Sequence, residues 1–238
     1  MSALDEGSGR GVTVAVLDTG LDPSHEDFSA LDCGGCLRPD EGAGWVEEAG
    51  DEVGHGTAIA GVIHRIAPEA TVISIAVLAG DRRERHSRIR EGALMAIERG
   101  ADVLNCSFGV SGAMHTFPMY REWTGVAGRR GVAVVAASSN LNAEHPEWPS
   151  HLEGVIAVTA GEGRLRWRSD SPVAFAAPGT AVRVPVPGGG HAVMTGSSFA
   201  TAHVSGMVAR LLSRFPDLSP KLAYEALRGA AHQMQFTG

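Results

Sequence analysis

The sequence predicts an α/β protein, a three-layer α/β/α sandwich built on a mostly parallel, doubly wound sheet. Three observations lead there. Short runs rich in Val, Ile and Ala recur at 12–17, 71–78, 101–108, 132–137, 155–160 and 173–177, near-continuous rather than alternating, as parallel strands covered on both faces require. Segments with helical periodicity lie between several of them, the order expected of βαβ units. The length, 238 residues, fits one large domain over 1–238, with 1–10 expected as a flexible N-terminal segment.

The elements follow in order. The first strand ends at Asp18, and the acidic, Gly-rich stretch 32–51 reads as a solvated loop at the rim of a cleft. Ser87 can cap a helix that runs to Glu98, with Ile89, Ala93 and Ile97 on one face and Gly100 as its stop. A second helix spans 118–130 and closes at Gly131. Val204, Val208, Leu211 and Phe215 mark a long helix after Ser198, and Ser219-Pro220 opens a last one. In such sheets sites form beyond the carboxyl ends of the strands, where Asp18 and Asn140 stand.

Composition narrows the classes. A chain this long buries roughly three quarters of its unfolded surface, so its core needs neither disulfide nor metal. A net charge of −7 argues against nucleic acid or an anionic membrane as partner. Arg82-Arg83 and Arg129-Arg130 read as solvated surface. No apolar run reaches the ~20 residues of a membrane helix. The N-terminus lacks a signal-peptide pattern, so a cytoplasmic monomer is expected, or a secreted one if a leader was removed. Three cysteines make an odd count. Cys33-Gly-Gly-Cys36 has redox or metal-like spacing without a second ligand pair, and reads as two free or loosely paired loop thiols; Cys106 reads as buried packing.

Three segments carry chemistry: Asp18-Thr-Gly-Leu-Asp22, Gly54-His55-Gly-Thr57 and Gly196-Ser-Ser198-Phe-Ala-Thr-Ala-His203. They supply a carboxylate, an imidazole and a hydroxyl in that chain order. Taken singly, Asp18 could be a helix cap, His55 a turn residue, Ser197-Ser198 an N-cap pair and Asn140 a turn former. Together, from about Gly11 to the last helix, they resemble the subtilisin-like (subtilase) serine proteases. Asn105-Cys-Ser107-Phe108-Gly109 resembles that family's substrate-binding edge strand. Ala137-Ser138-Ser-Asn140 resembles the strand that ends in its oxyanion-hole asparagine. Trp148-Pro149 resembles the stretch behind its S1 pocket, and Ala177-Pro178-Gly179 the turn ahead of its nucleophile.

The resemblance implies a serine endopeptidase acting on peptide or protein substrates without a cofactor. Ser198 would attack the peptide carbonyl, His55 take and return the proton, and Asp18 hold the imidazole. Asn140 and the Ser198 N–H would stabilise the oxyanion. Extended peptides would lie beside Ser107, Phe108 and Gly109, with Ala137, Ser138 and Glu147 around the side chain that precedes the cut. Glu147 would select Lys or Arg there, or else point to water and leave an apolar pocket. Two other outcomes stay open: a maturation protease or macrocyclase in which an amine resolves the acyl-enzyme, and a catalytically dead peptide-binding module.

Departures from the family pattern are local. Ala58 stands where the family has a second histidine, and Ala202 replaces the proline before His203. His203 and the other histidines outside the triad read as packing and surface residues, respectively. The polar loop that supplies calcium ligands in many relatives is missing between Gly61 and Pro68. Asp27 matches another ligand of that site, but Ca²⁺ wants six to eight oxygens, so no metal is expected.

Overall fold

Strand β1 (Thr13–Leu17) lies near the centre of the molecule and shows why its neighbours run parallel. In this computed structural model, which describes residues 3–40, 44–79, 84–111, 114–140, 142 and 145–236, β1 is buried from Val14 onward. Val14 and Val16 face one apolar cluster, Ala15 and Leu17 the other. That is the two-residue alternation of a strand covered on both sides. On one side β1 pairs in parallel with β4 (Thr71–Ile75), on the other with β5 (Val103–Cys106).

Outward from β5 follow β7 (Ala133–Ala137), β9 (Val155–Gly161) and β11 (Phe175–Pro178); outward from β4 comes β2 (Asp32–Asp40). All of these run parallel. Antiparallel strands β3 (Gly44–Glu47) and β10 (Arg166–Trp167) close the two edges of the nine-stranded sheet. Helices α2 (His55–Ile66), α5 (Ser197–Arg214) and α6 (Pro220–Phe236) cover one face. Helices α3 (Arg85–Glu98) and α4 (Phe117–Arg129) cover the other, completing the three layers that the sequence predicts. Gly100 (φ 80°) and Gly131 (φ 74°) stop α3 and α4 in the left-handed conformation, as read from the sequence.

The chain leaves β1 to build β2 and β4 on one side, then returns to build β5 on the other. The carboxyl end of β1 is therefore a topological switch point, and Asp18 is the residue that follows it.

Several expectations need correction. The segment 3–10 is not a free arm: α1 (Ala3–Glu6) lies against α5 with Leu4 buried in the core, and a Cβ at Gly7 would run into the Arg210 carbonyl. The stretch 32–51 is largely the hairpin β2–β3 rather than a loop, so Cys33 and Cys36 sit on a strand. Helix α3 starts at Arg85, after Glu84, so Ser87 does not cap it. Helix α2 was concealed by the turn-like Gly54-His55-Gly56. Arg82 and Arg83 lie outside the described residues.

Candidate active site

Two corners of the molecule meet at this end of the sheet. The first is built by the loop after β1 and the start of α2. Asp18 is fully buried (0% exposed), and its N–H donates to the Ile75 carbonyl. Its Oδ1 accepts from the Thr19 N–H at 2.8 Å and contacts His55 Nδ1 at 2.7 Å. An ionised carboxylate only accepts, so Nδ1 carries the proton and Nε2 keeps its lone pair. Burial works against a charged His55 ring, but Asp18 beside it and Asp51 beyond it outweigh that and raise its pKa above the usual histidine value.

Asp51 is a residue that the sequence reading passed over. Its carboxylate accepts from Gly54 N–H, Thr57 N–H and Thr57 Oγ1, each at 2.8 Å, and from Thr19 Oγ1 at 2.7 Å. Thr19 Oγ1 in turn accepts from Gly56 N–H, and Thr57 Oγ1 from Asp22 N–H. One carboxylate thus ties the Asp18 loop to the first turn of α2. The signal was present as an acidic residue four positions ahead of the histidine, at the head of a helix. Gly56 is required by this closeness, since a Cβ there would meet the Gly20 carbonyl.

The second corner is the N-terminus of α5. Gly196 donates to the Gly179 carbonyl at 2.8 Å, fixing the turn before the helix. Ser197 is 2% exposed, its Oγ donating to the Ser138 carbonyl and its N–H to Asn140 Oδ1, both at 2.7 Å. A backbone N–H can only donate, so that bond fixes the amide with Nδ2 as its remaining donor. The Phe199 N–H goes to Gly196, which leaves the Ser198 N–H between them unengaged among the described residues.

Ser198 is half-buried, and its Oγ donates to the Ser107 carbonyl at 3.0 Å. Ser107 Oγ donates back to the Ser198 carbonyl at 3.0 Å and accepts from Asn105 Nδ2, while Ser205 Oγ bonds Asn105 Oδ1. The His55 ring lies against Phe199, with centroids 6.0 Å apart. Among the described residues no hydrogen bond joins His55 to Ser198; the hydroxyl is turned to Ser107 instead. Catalytic bonds are often unformed without substrate.

The expected substrate wall is partly redrawn. β5 is an interior strand of the sheet, not an edge. Ser107, Phe108 and Gly109 leave it as an irregular segment, and the next two residues form β6 (Val110–Ser111), which pairs with β8 (Glu147–Trp148). Ala137 and Ser138 are buried at the end of β7, with Ser138 N–H bonded to Val158 and its carbonyl to Ser197, so their side chains do not line a surface. Glu147 lies beside Gly109. Its Oε2 occupies the space that a Cβ on Gly109 would fill. Burial raises the Glu147 pKa, opposed by His151 and His145.

The residues do not fit the calcium site of the family. Helix α2 runs unbroken through Ile66, so no loop offers oxygens there. Asp27 Oδ2 is engaged by His191 Nε2 at 2.9 Å. His25, Glu26 and His191 bring potential ligand atoms within 4.8 Å of one another. Yet His25 is spent: Nδ1 accepts from the Asp27 N–H and Nε2 donates to the Gly190 carbonyl. At 3% exposure it is a buried capping residue, which corrects the surface assignment. His203 packs as expected, its Nδ1 bonded to the Phe199 carbonyl.

A mostly parallel sheet with a buried aspartate bonded to a partly exposed histidine at its switch point, and a serine at a helix N-terminus following in the chain, is the arrangement of the subtilisin class of serine peptidases. The chain belongs to the Subtilase family, whose pattern it matches over residues 9–236. It is 33% identical over 219 residues to an intracellular serine protease of Paenibacillus polymyxa, covering 84% of this chain and 66% of that protein. It is equally 33% identical to subtilisin BL of Lederbergia lenta, over 97% of this chain and 87% of the relative. Fervidolysin from Fervidobacterium pennivorans, described as a keratinolytic enzyme related to subtilisin, superposes with a TM-score of 0.72 at 27% identity. That likeness covers 92% of this chain but 38% of fervidolysin. Among the described residues no helix is long and apolar enough to cross a membrane.

Proposed function

We propose that this chain is an endopeptidase that cuts after Lys or Arg, with Ser198 as nucleophile, His55 as general base and Asp18 as the carboxylate that orients it. The observation that carries the catalytic roles is the 2.7 Å contact of His55 Nδ1 with a fully buried Asp18, which holds the imidazole as the tautomer a base requires. Rotation of the Ser198 side chain would exchange the Ser107 carbonyl for His55 Nε2 once a peptide is seated. The proton then passes to Nε2 as Oγ bonds the carbonyl carbon. The same imidazolium protonates the departing amine, and water resolves the acyl-enzyme.

Asn140 Nδ2 and the Ser198 N–H would receive the oxyanion at the N-terminus of α5, where the helix dipole favours negative charge. Glu147 supports the basic preference, because its carboxylate lies against Gly109 in the segment that would pair with the substrate. The intracellular serine protease among the relatives favours a place of action inside the cell.

The test is a peptide panel varied only at the residue before the cut, run on wild type and on Glu147→Gln. Basic peptides should be preferred, and the mutation should reduce that preference about tenfold or more. An apolar preference that ignores the mutation would remove Glu147 from the pocket. Cyclic or transpeptidated products in place of hydrolysed ones would assign the second step to an amine.

A further inference from the structure

We propose that Cys33 and Cys36 form a reversible dithiol–disulfide site that exchanges with low-molecular-weight disulfides of the glutathione class. The proposal is independent of the catalytic reading.

In a regular strand, residues three apart point to opposite faces. Strand β2 is not regular. Against β4, Cys33 pairs with Val72, Gly35 with Ile73 and Cys36 with Ser74, so the ladder skips Gly34 in a bulge. Counted along the ladder, the two cysteines are only two positions apart, which returns them to one face. Their sulfurs stand 3.7 Å apart, within hydrogen-bond reach and less than ~2 Å from a covalent bond.

The two intervening residues are those the bulge demands. Gly35 has φ 135°, a conformation that strains any L side chain, and a Cβ on Gly34 would sit 2.7 Å from Thr71 Cγ2. The four residues Cys-Gly-Gly-Cys are therefore one device that brings two thiols together on a strand.

Its surroundings favour exchange over metal binding. Among the described residues no third His, Cys, Asp or Glu joins the pair as a metal-ligand group. Cys33 is exposed and Cys36 half-buried, the arrangement of an attacking and a resolving thiol. The hydrogen bond from Cys36 lowers the Cys33 pKa to about 6, and the same bond, with burial, raises that of Cys36. That direction favours the outer sulfur as the attacking thiolate.

The step balances. The Cys33 thiolate attacks one sulfur of the small disulfide, a mixed disulfide forms, and the first small thiolate leaves and takes a proton from water. Cys36 then gives its proton to solvent and attacks Cys33 sulfur, forming the protein disulfide and expelling the second small thiol. Two electrons pass from the cysteine pair to the small disulfide.

The full chain is equilibrated in reduced and oxidised glutathione mixtures, free thiols are trapped by alkylation, and each cysteine is read by mass spectrometry. Buried Cys106 serves as a marker of the folded state. Wild type should pass from two alkylatable thiols to none, losing two hydrogens and retaining no glutathione. Cys36→Ser should hold one glutathione on Cys33, and Cys33→Ser should react about tenfold more slowly or worse. Gly35→Val should impair closure of the disulfide while Cys106 stays protected. The proposal is overturned if wild type keeps both thiols in the oxidising mixture, or holds glutathione on each, with Cys106 still protected.

Discussion

The two corners of the active site are built differently. At the aspartate corner one network ties the loop to the helix: Asp51 alone accepts four hydrogen bonds and His55 Nδ1 bonds Asp18 Oδ1, while the buried Asp18 Oδ2 has no partner among the described residues. At the serine corner the helix start is just as firmly held through Ser197, but Ser198 Oγ rests on a neighbouring carbonyl. On the proposed roles, the base would be organised in advance, whereas the nucleophile would first have to leave the Ser107 carbonyl. Organisation before the reaction lowers the cost of meeting the transition state.

The adjacent serines give the sharpest way to break this comparison. Ser197 is buried and its hydroxyl is committed to Ser138, so Ser197→Ala should cost about 1 kcal/mol of stability and leave turnover largely intact. Ser198→Ala should lower kcat by about 10⁶-fold. Peptidase assays on the two variants check this, and a reversal of the two effects would exchange their roles.

A smaller effect is expected at Asn140. Its Oδ1 is occupied by Ser197, so only Nδ2 remains for the reaction. Asn140→Ala should lower kcat about 10²- to 10³-fold with little change in KM. A loss that appears mainly in KM would make Asn140 a substrate-positioning residue.

The smallest effect concerns metal. With Asp27 bonded to His191 and α2 unbroken, a chelator should shift the melting temperature by no more than a few degrees. A larger fall would reveal a filled ion site.

What the sequence revealed divides along the same physical line. The central strands were legible because burial on both faces makes their apolar runs continuous, as at Val14 to Leu17. The Asp, His and Ser segments were legible because their glycines and their order are distinctive. The hairpin β2–β3 was not, since its composition is glycine-rich and acidic and its bulge destroys the alternation that marks a strand. Two-residue strands such as β6 and β8 carry no period at all. Asp51 and His25 were missed for a common reason: their work is bonding to backbone N–H groups, which depends on where loops close and not on neighbours in sequence.

The coupling of the two corners is tested most directly by covalent labelling with an organofluorophosphonate across a pH series. The reagent needs the serine oxygen, the base and the oxyanion donors together. His55 must be neutral to accept the proton, and its pKa is raised above the ordinary value of 6.5. The labelling rate should therefore be low in acid and climb with a midpoint above 6.5. The expected adduct is single, lies on Ser198 and vanishes in His55→Ala. An adduct on Ser197, or Ser198 labelling indifferent both to pH and to His55→Ala, would contradict the pairing of the corners.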